Sequence, residues 1–385
     1  MSFIDDSMKS AKIIINPDKK YQTCNREFQG IPGIEITSQG RLWASWYAGG
    51  ENEGPQNFSI LVTSADNGTN WSEPIAVIDP PGNIRSFDPV LWHDPAGRLW
   101  WFWSQSYSPE VGQIFDGRGG VWCVVAENSN VEKPVFSKPR RIADGVMMNK
   151  PTVLSDGTWA LPTAVWECFG PKLTKMGKVR FSNMTVSHDN GQNFSLLGSA
   201  DIPNRAYDEN MIVELQDGQL WMLVRTIYGI GQSFSVNKGK SWLPGENSQL
   251  GGSDSRFFIR RLQSGKLLLV NHAPNPENGK YSRNNLTAFL SDDDGKNWSG
   301  GLMLDERAGV SYPDGVQDKD GNIWIIYDHE RYRHGNILFA RFTEEDIATG
   351  KCVSSTASLK NLINSTGGIK NQANRNQTNV MPIKE

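Results

Sequence analysis

The fold is decided by the stretch DENMIVELQDGQLWMLVR, residues 208–225. Two apolar runs, 211–215 and 220–224, flank the pair Asp217-Gly218, and such a pair is the strongest short-range signal for a β-hairpin. The runs are rich in Val, Ile, Leu and Trp, which favours strands over helix. Glu209 comes just before the first predicted strand, and Arg225 ends the second.

The same hairpin recurs along the chain, which makes it a repeat. Each copy has a glycine at its turn, followed by one spacer and an apolar or tryptophan pair. The glycines are separated by 47 to 61 residues. They are Gly40, Gly97, Gly157, Gly218, Gly265 and Gly321.

A second signature follows four of these hairpins. It reads Ser-x-Asp/Asn-x-Gly-x-x-aromatic and begins at Ser64, Ser187, Ser235 and Ser291. The Asp or Asn can accept backbone hydrogen bonds and close a turn, the glycine allows φ > 0, and the aromatic side chain fills apolar space. Sandwich strands do not keep this spacing, and the rungs of a β-helix are much shorter. The repeats therefore predict an all-β, six-bladed β-propeller of four-stranded antiparallel sheets.

This turn signature is the Asp-box, and over about residues 20 to 350 the chain resembles the sialidase (neuraminidase) superfamily. The resemblance implies an active site on the central axis of the propeller. We expect an N-terminal arm at 1–20, the propeller at 21–354 and a polar, largely disordered C-terminal tail at 355–385. A short strand at 12–15 is expected to complete the last blade, and a helix is expected at 343–348.

Composition excludes several function classes. The net charge is −3 and no basic block is present, so nothing supports binding to nucleic acid. No segment approaches the roughly 20 apolar residues of a membrane span, and no metal or cofactor motif occurs.

The acidic N-terminus lacks a signal peptide, which predicts a cytoplasmic protein, or a secreted or periplasmic one if a leader was trimmed. The four cysteines show no paired spacing, which favours buried thiols. The oligomeric state is left open.

The resemblance assigns catalytic roles to three side chains. Tyr312 matches the family's nucleophile, Glu209 matches the base beside it, and Glu53 falls in the loop that carries the general acid/base, with Glu51 as a weaker alternative. A tyrosine nucleophile is an exception among glycosidases. It suits a substrate with a carboxylate at the reacting carbon, which would repel an anionic nucleophile.

The resemblance also implies a carboxylate clamp of arginines. Arg225 and Arg283 match two of its three members, but Gly30 stands where the first should be. Either another arginine reaches the gap, with Arg85 best placed and Arg118 and Arg256 as alternatives, or the substrate is not sialic acid. We expect weak or absent turnover of sialosides.

Further polar residues lie at the equivalent position in other blades. These candidate substrate-binding residues are Arg85, Asp88, Asn149, Lys150 and Arg256, although Arg85 and Asp88 could instead pair and brace their own loop. The sequence predicts a retaining exo-glycosidase that releases a terminal acidic sugar from a glycan. The alternatives are an enzyme for a different acidic sugar, either a uronic-acid glycosidase or a lyase, and a non-catalytic glycan-binding propeller.

Overall fold

The chain forms six antiparallel sheets that follow one another in sequence order. The computed structural model describes residues 6–108, 117–166 and 179–366. The first sheet contains β1 (Ile13–Ile15), β2 (Gln29–Ile36), β3 (Leu42–Ala48), β4 (Phe58–Ser64) and β5 (Ala76–Ile78). The second contains β6 (Ile84–His93), β7 (Leu99–Tyr107), β8 (Val121–Ala126) and β9 (Arg140–Ala143). The third contains β10 (Thr152–Val153), β11 (Trp159–Ala164), β12 (Ser182–Ser187) and β13 (Ser195–Ala200).

The second half of the chain repeats this arrangement. The fourth sheet contains β14 (Arg205–Glu214), β15 (Leu220–Thr226), β16 (Gly229–Ser235) and β17 (Glu246–Asn247). The fifth contains β18 (Phe258–Arg261), β19 (Leu267–His272), β20 (Leu286–Ser291) and β21 (Ser299–Asp305). The sixth contains β22 (Val310–Gln317), β23 (Ile323–His329), β24 (Asn336–Phe342) and β25 (Ser358–Asn364), with helix α1 (Glu344–Thr349) between its last two strands.

The sheets close into a ring. Around the axis β2 contacts β6, β10 contacts β14, β14 contacts β18, and β18 contacts β22. The second and third sheets contact through β9 and β13, and β22 of the sixth sheet contacts β2 of the first. The structure is therefore the predicted six-bladed β-propeller, and its innermost strands are β2, β6, β10, β14, β18 and β22.

The six repeat glycines lie at equivalent turns, as the sequence predicts. Each joins the first and second strands of its blade, with φ between +79° and +88°. Each backbone N–H donates to the carbonyl three residues earlier, for example Gly218 to Leu215 over 2.9 Å. Because L-residues with a side chain rarely adopt this conformation, the turn selects glycine.

The four Asp-box turns join the third and fourth strands of their blades. In the first, Asp66 accepts from the backbone N–H of Asn70 at 3.0 Å, and Ser64 Oγ accepts from Gly68 N at 3.1 Å. A Cβ added at Gly68 would lie 2.6 Å from the ring of Phe339 in the sixth blade. The turn therefore packs closely against the preceding blade, which only glycine permits.

The core lies between adjacent blades and is rich in tryptophan. Trp159 of the third blade packs edge-on against Trp92 and Trp100 of the second, with ring centroids 4.8 and 5.4 Å apart. Edge-to-face pairs add about 0.5–1.5 kcal/mol beyond the buried area. The abundance of tryptophan is therefore explained largely by packing between blades.

Both ends of the chain differ from the prediction. Strand β1 does not complete the last blade but pairs with β5, which gives the first blade a fifth, outer strand. The sixth blade takes its outer strand from β25, so the propeller extends past residue 354 into the predicted tail. Helix α1 is present, with Thr343 as its N-cap in a capping box. Residues 367–385 of the predicted tail lie outside the described residues.

The cysteines agree only in part with the expectation that they are buried thiols. Cys123 is buried, but Cys24 and Cys352 are exposed, and Cys168 lies outside the described residues. In the described ranges, no helix is long and apolar enough to cross a membrane.

Candidate active site

The first strands of the first, second and sixth blades carry the same bulge near the axis. Their register shifts next to Ile31, Asp88 and Tyr312, and these residues have φ of 56°, 49° and 57°. Each precedes a proline, which has no N–H, so the break in the ladder leaves no unpaired N–H at the proline itself. Left-handed conformations of non-glycine residues are strained and cluster at functional sites.

The bulge in the sixth blade presents Tyr312 to Glu209 and Arg225 of the fourth blade. The Tyr312 hydroxyl donates to Glu209 Oε1 over 3.1 Å. Arg225 Nη1 donates to the same oxygen over 2.7 Å and to the Tyr312 hydroxyl over 3.1 Å. All three side chains are at least 95% buried. The sequence predicts this convergence, and the structure contains it.

The surroundings of Tyr312 keep its phenol protonated. Burial raises the pKa of Tyr312 above its ordinary value, and the Glu209 carboxylate raises it further, against the effects of Arg225, Arg331 and Arg283. A protonated phenol is a weak nucleophile unless a base takes its proton as it reacts. Glu209 Oε1 is within hydrogen-bond reach of that proton.

Three guanidinium groups surround Tyr312. Arg225 contacts its hydroxyl, Arg331 Cζ lies 4.6 Å from its ring centroid, and Arg283 Cζ lies 5.4 Å from that centroid. Asp254 holds two of them, since its carboxylate accepts from Arg225 Nε at 2.6 Å and its carbonyl accepts from Arg283 Nη2 at 3.1 Å. Three guanidinium groups therefore lie beside the phenol, and two of them pair with carboxylates.

Arg331 occupies the space beside Gly30. A Cβ built on Gly30 would lie 2.9 Å from Arg331 Cδ and 3.0 Å from Asp328 Oδ2. Because the φ of Gly30 is not in the left-handed region, the glycine is needed for space and not for backbone conformation. Asp328 Oδ2 accepts from Ile31 N at 2.9 Å, and its Oδ1 accepts from Ser311 Oγ at 2.6 Å, which fixes both flanking strands.

Glu53 approaches a different nitrogen of Arg331 from the one that Asp328 approaches. Its Oε1 is 3.4 Å from Arg331 Nη2 and accepts from the Tyr332 hydroxyl at 2.8 Å. Burial alone raises the pKa of Glu53, but Arg331 and then Arg85 outweigh it and hold the pKa below its ordinary value. The side chain of Glu53 is 30% exposed, whereas Glu51 lies on the surface. Of the two candidate acids in this loop, Glu53 is the one at the site.

Asp88 and Arg85 also lie near Glu53, but they do not form the loop-bracing pair. The guanidinium of Arg85 lies 4.2 Å from the ring of Phe87 and 5.4 Å from that of Tyr47. Among the described residues, no salt bridge joins Arg85 to Asp88, and Asp88 Oδ2 is buried without a hydrogen-bond partner. Burial raises the pKa of Asp88 to about 8 against the effect of Arg85, while Glu209 and Glu53 add to the rise.

Lys150 does not face a substrate. Its ammonium contacts the Ile34 and Leu91 carbonyls at 2.6 Å each, Glu35 Oε1 at 2.9 Å and Asp314 Oδ2 at 3.3 Å. An ammonium has three N–H donors, so these acceptors leave none for a ligand. Lys150 instead joins the first, second and sixth blades.

Arg256 and Asn149 also join blades. Arg256 donates to the carbonyls of Pro313 and Met148 at 3.0 Å each and to that of Pro32 at 3.4 Å. Asn149 Nδ2 donates to the Asn210 carbonyl at 2.8 Å. The substrate-binding roles expected for Lys150 and Arg256 are replaced by structural ones, because the donors of Lys150 are used by the protein and each nitrogen of the buried Arg256 guanidinium donates to a backbone carbonyl. Arg256 holds the backbone next to Tyr312.

Sequence reasoning missed Arg331 and Asp254. One signal for Arg331 was available, since Asp328 stands four residues after its repeat tryptophan, as Arg225 does in the fourth blade. The residues just after Asp328 therefore reach the same face of the propeller. Of the alternatives for the gap at Gly30, Arg118 lies away from it and donates to Met8 Sδ over 3.5 Å.

Comparison with known proteins gives the same fold. Residues 40–325 match the model of the BNR repeat-like domain. No curated protein matches the sequence. Among solved structures, an intramolecular trans-sialidase from Ruminococcus gnavus, in complex with oseltamivir carboxylate, superposes with a TM-score of 0.63. It is 14% identical, and the alignment covers 88% of this chain and 98% of that one.

Two other structures are similar to the same extent. A Hadza microbial sialidase has a TM-score of 0.62 at 17% identity, with 83% of this chain and 66% of that chain covered. A Dyadobacter fermentans protein of unknown function has a TM-score of 0.60 at 14% identity, with 84% and 94% covered. At these identities the likeness concerns the fold alone.

Proposed function

Because this chain belongs to the family of BNR repeat-like domains and has the sialidase-superfamily fold, we propose that it is a retaining exo-glycosidase. Its substrate is a glycan that ends in a carboxylated sugar, and its nucleophile is Tyr312. The observation that carries the proposal is the buried hydrogen-bond cluster in which Glu209 Oε1 accepts from both Tyr312 and Arg225.

The cluster supports a two-step displacement. In the first step the Tyr312 oxygen bonds to the anomeric carbon while its proton passes to Glu209 and the bond to the leaving oxygen breaks. Glu53 donates a proton to that leaving oxygen. In the second step Glu53 takes a proton from water, the water oxygen replaces Tyr312 at the anomeric carbon, and Glu209 returns the proton to the phenolate. Two displacements retain the anomeric configuration.

The charge around Tyr312 supports a carboxylated substrate. Arg225 and Arg283 lie beside the reacting phenol, where guanidinium groups can hold a carboxylate by charge-assisted, bidentate bonds. A neutral phenol approaches such an anion without the repulsion that a carboxylate nucleophile would meet. A purely glycan-binding propeller is disfavoured, because it has no need of a base beside a phenol.

The proposal is tested by turnover of aryl glycosides. The wild type is given an aryl α-sialoside and an aryl uronide, and the configuration of the first product is read by NMR. We expect hydrolysis with retention, and Tyr312→Phe is expected to lower kcat by a factor of about 100 or more, on the order of what general-base and nucleophile variants lose. Tyr228→Phe, a partly buried tyrosine outside the cluster, is the matched control. Turnover with inversion, or an unaffected Tyr312→Phe variant, would refute the mechanism.

A further inference from the structure

Arg331 has the properties of a ligand-binding side chain that the proposed chemistry does not yet use. Its side chain is 9% exposed, and its Nε and Nη1 have no hydrogen-bond partner among the described residues. Its nearest carboxylates are loosely placed, with Glu53 Oε1 at 3.4 Å from Nη2 and Asp328 Oδ2 at 3.7 Å from Nη1. Buried N–H donors are normally satisfied, and a charged group left short of partners is costly. Two nitrogens of one buried guanidinium therefore lack a hydrogen-bond acceptor, which an anionic ligand would supply.

The position of Arg331 shows where that partner would bind. The guanidinium lies 4.6 Å from the ring of Tyr312, on the side of the first blade, while Arg225 and Arg283 approach from the fourth and fifth blades. An anion that contacts all three would therefore lie against the phenol oxygen or its ring. This is the place of a carboxylate bonded to the anomeric carbon that Tyr312 attacks.

We propose that Arg331 is the third guanidinium of the substrate carboxylate clamp, supplied across Gly30 by the loop between β23 and β24 of the sixth blade. The inference rests on the proposed function. The space for a side chain on Gly30 and the space of Arg331 Cδ overlap, since a Cβ on Gly30 would lie 2.9 Å from it. An arginine from the first blade and Arg331 are therefore alternatives for one site.

This arrangement determines the class of acidic sugar. In a 2-keto sugar acid such as sialic acid the carboxylate is bonded to the anomeric carbon. In a uronic acid it is bonded to the carbon on the far side of the ring oxygen. Three cations that converge on the nucleophile fit the first class. Gly30 considered alone leads us to expect weak turnover of sialosides. With Arg331 as the third guanidinium, we expect ready turnover instead.

The clamp also connects substrate binding to Glu53. In the free protein Arg331 is the cation that does most to hold the pKa of Glu53 low. A substrate carboxylate on Arg331 brings a negative charge beside Glu53 and offsets that cation. The pKa of Glu53 then rises, which favours the protonated form that a general acid requires.

The test is binding of free N-acetylneuraminate and of glucuronate, measured by calorimetry, together with turnover of the aryl sialoside. The variants are Arg331→Ala and Arg331→Lys, and Arg333→Ala is the control, because Arg333 is 77% exposed two residues away. Loss of one bidentate, charge-assisted contact corresponds to a fall of roughly 10- to 100-fold in affinity or in kcat/KM. We expect N-acetylneuraminate binding and kcat/KM to fall by that factor in Arg331→Ala, with no change in Arg333→Ala. Arg331→Lys keeps the charge without the planar fork, and it carries the test if the alanine variant does not fold.

A second pair of variants checks the shared space. Gly30→Arg, introduced into the wild type, is expected to lower the turnover of the sialoside. The double variant Gly30→Arg/Arg331→Gly is expected to turn over the sialoside faster than Arg331→Gly alone.

Equal binding and turnover in Arg331→Ala, Arg331→Lys and wild type would overturn the role of Arg331 while leaving the glycosidase intact. A wild type that binds N-acetylneuraminate and loses it in Arg331→Ala, but hydrolyses nothing, would keep the clamp and reject the proposed function. A wild type that binds neither sugar would overturn both.

Discussion

Replacing Asp88 by asparagine is expected to make the free energy of unfolding of the protein less sensitive to alkaline pH. The Asp88 side chain is 2% exposed, its Oδ2 has no partner among the described residues, and its pKa rises from 3.8 to about 8, chiefly through burial. A carboxyl group with a raised folded-state pKa binds more protons in the native state than in the unfolded state. The free energy of unfolding therefore falls as pH rises from about 4 to about 8, and the full loss is present above that range.

The size of the effect follows from the shift. Each pKa unit corresponds to about 1.4 kcal/mol, so a shift of this size amounts to several kcal/mol once Asp88 is ionised. Asparagine resembles the protonated acid and does not titrate. We expect Asp88→Asn and wild type to have similar stability near pH 4, and the variant to be more stable by a few kcal/mol at about pH 8.5.

The assay is urea unfolding at a series of pH values, and the quantity compared is the difference between variant and wild type. That difference cancels groups such as Glu35, whose pKa is lowered and which acts in the opposite sense. Asp320→Asn is the matched control, because the Asp320 side chain is 68% exposed. A stability difference that stays constant across this pH range would show that Asp88 does not titrate as its burial implies.

Three other changes have expected outcomes. Glu209→Gln removes the base from Tyr312, so kcat is expected to fall by roughly 100- to 10,000-fold with the thermal unfolding transition retained, as steady-state kinetics and calorimetry would show. Lys150→Met removes the ammonium that pairs with buried Glu35 and Asp314, and the free energy of unfolding measured in urea is expected to fall by about 3–5 kcal/mol. Gly30→Ala forces Arg331 to move and is expected to cost about 1–3 kcal/mol in the same assay, together with a raised KM for the aryl sialoside.

The fold was predictable because its signals repeat. Gly218 and its five equivalents need the same left-handed turn, and each copy makes the interpretation of the others more secure. The closure of the propeller did not have this support. Strand β1 has only three residues, and nothing in so short an apolar run distinguishes the outer edge of the first blade from that of the last.

The contact of Glu209, Arg225 and Tyr312 was predictable for the same reason. Glu209, Arg225 and Tyr312 stand at fixed positions of the repeat, and such positions lie on one face of the propeller. Arg331 was missed because it follows its repeat strand in an irregular loop, where the repeat gives no guide to position. Lys150 was placed correctly on the axis, but sequence does not reveal that backbone carbonyls and carboxylates take all its donors.

The most direct test of Tyr312 as the nucleophile is to trap the covalent intermediate. The wild type is incubated with a fluorinated 2-keto sugar acid carrying a fluoride leaving group, which slows the second displacement, and its peptides are analysed by mass spectrometry. We predict one adduct, on the peptide that contains Tyr312, and its absence in Tyr312→Phe. An adduct on Glu53 or Asp88, or turnover of the sialoside with no adduct on Tyr312, would contradict this mechanism.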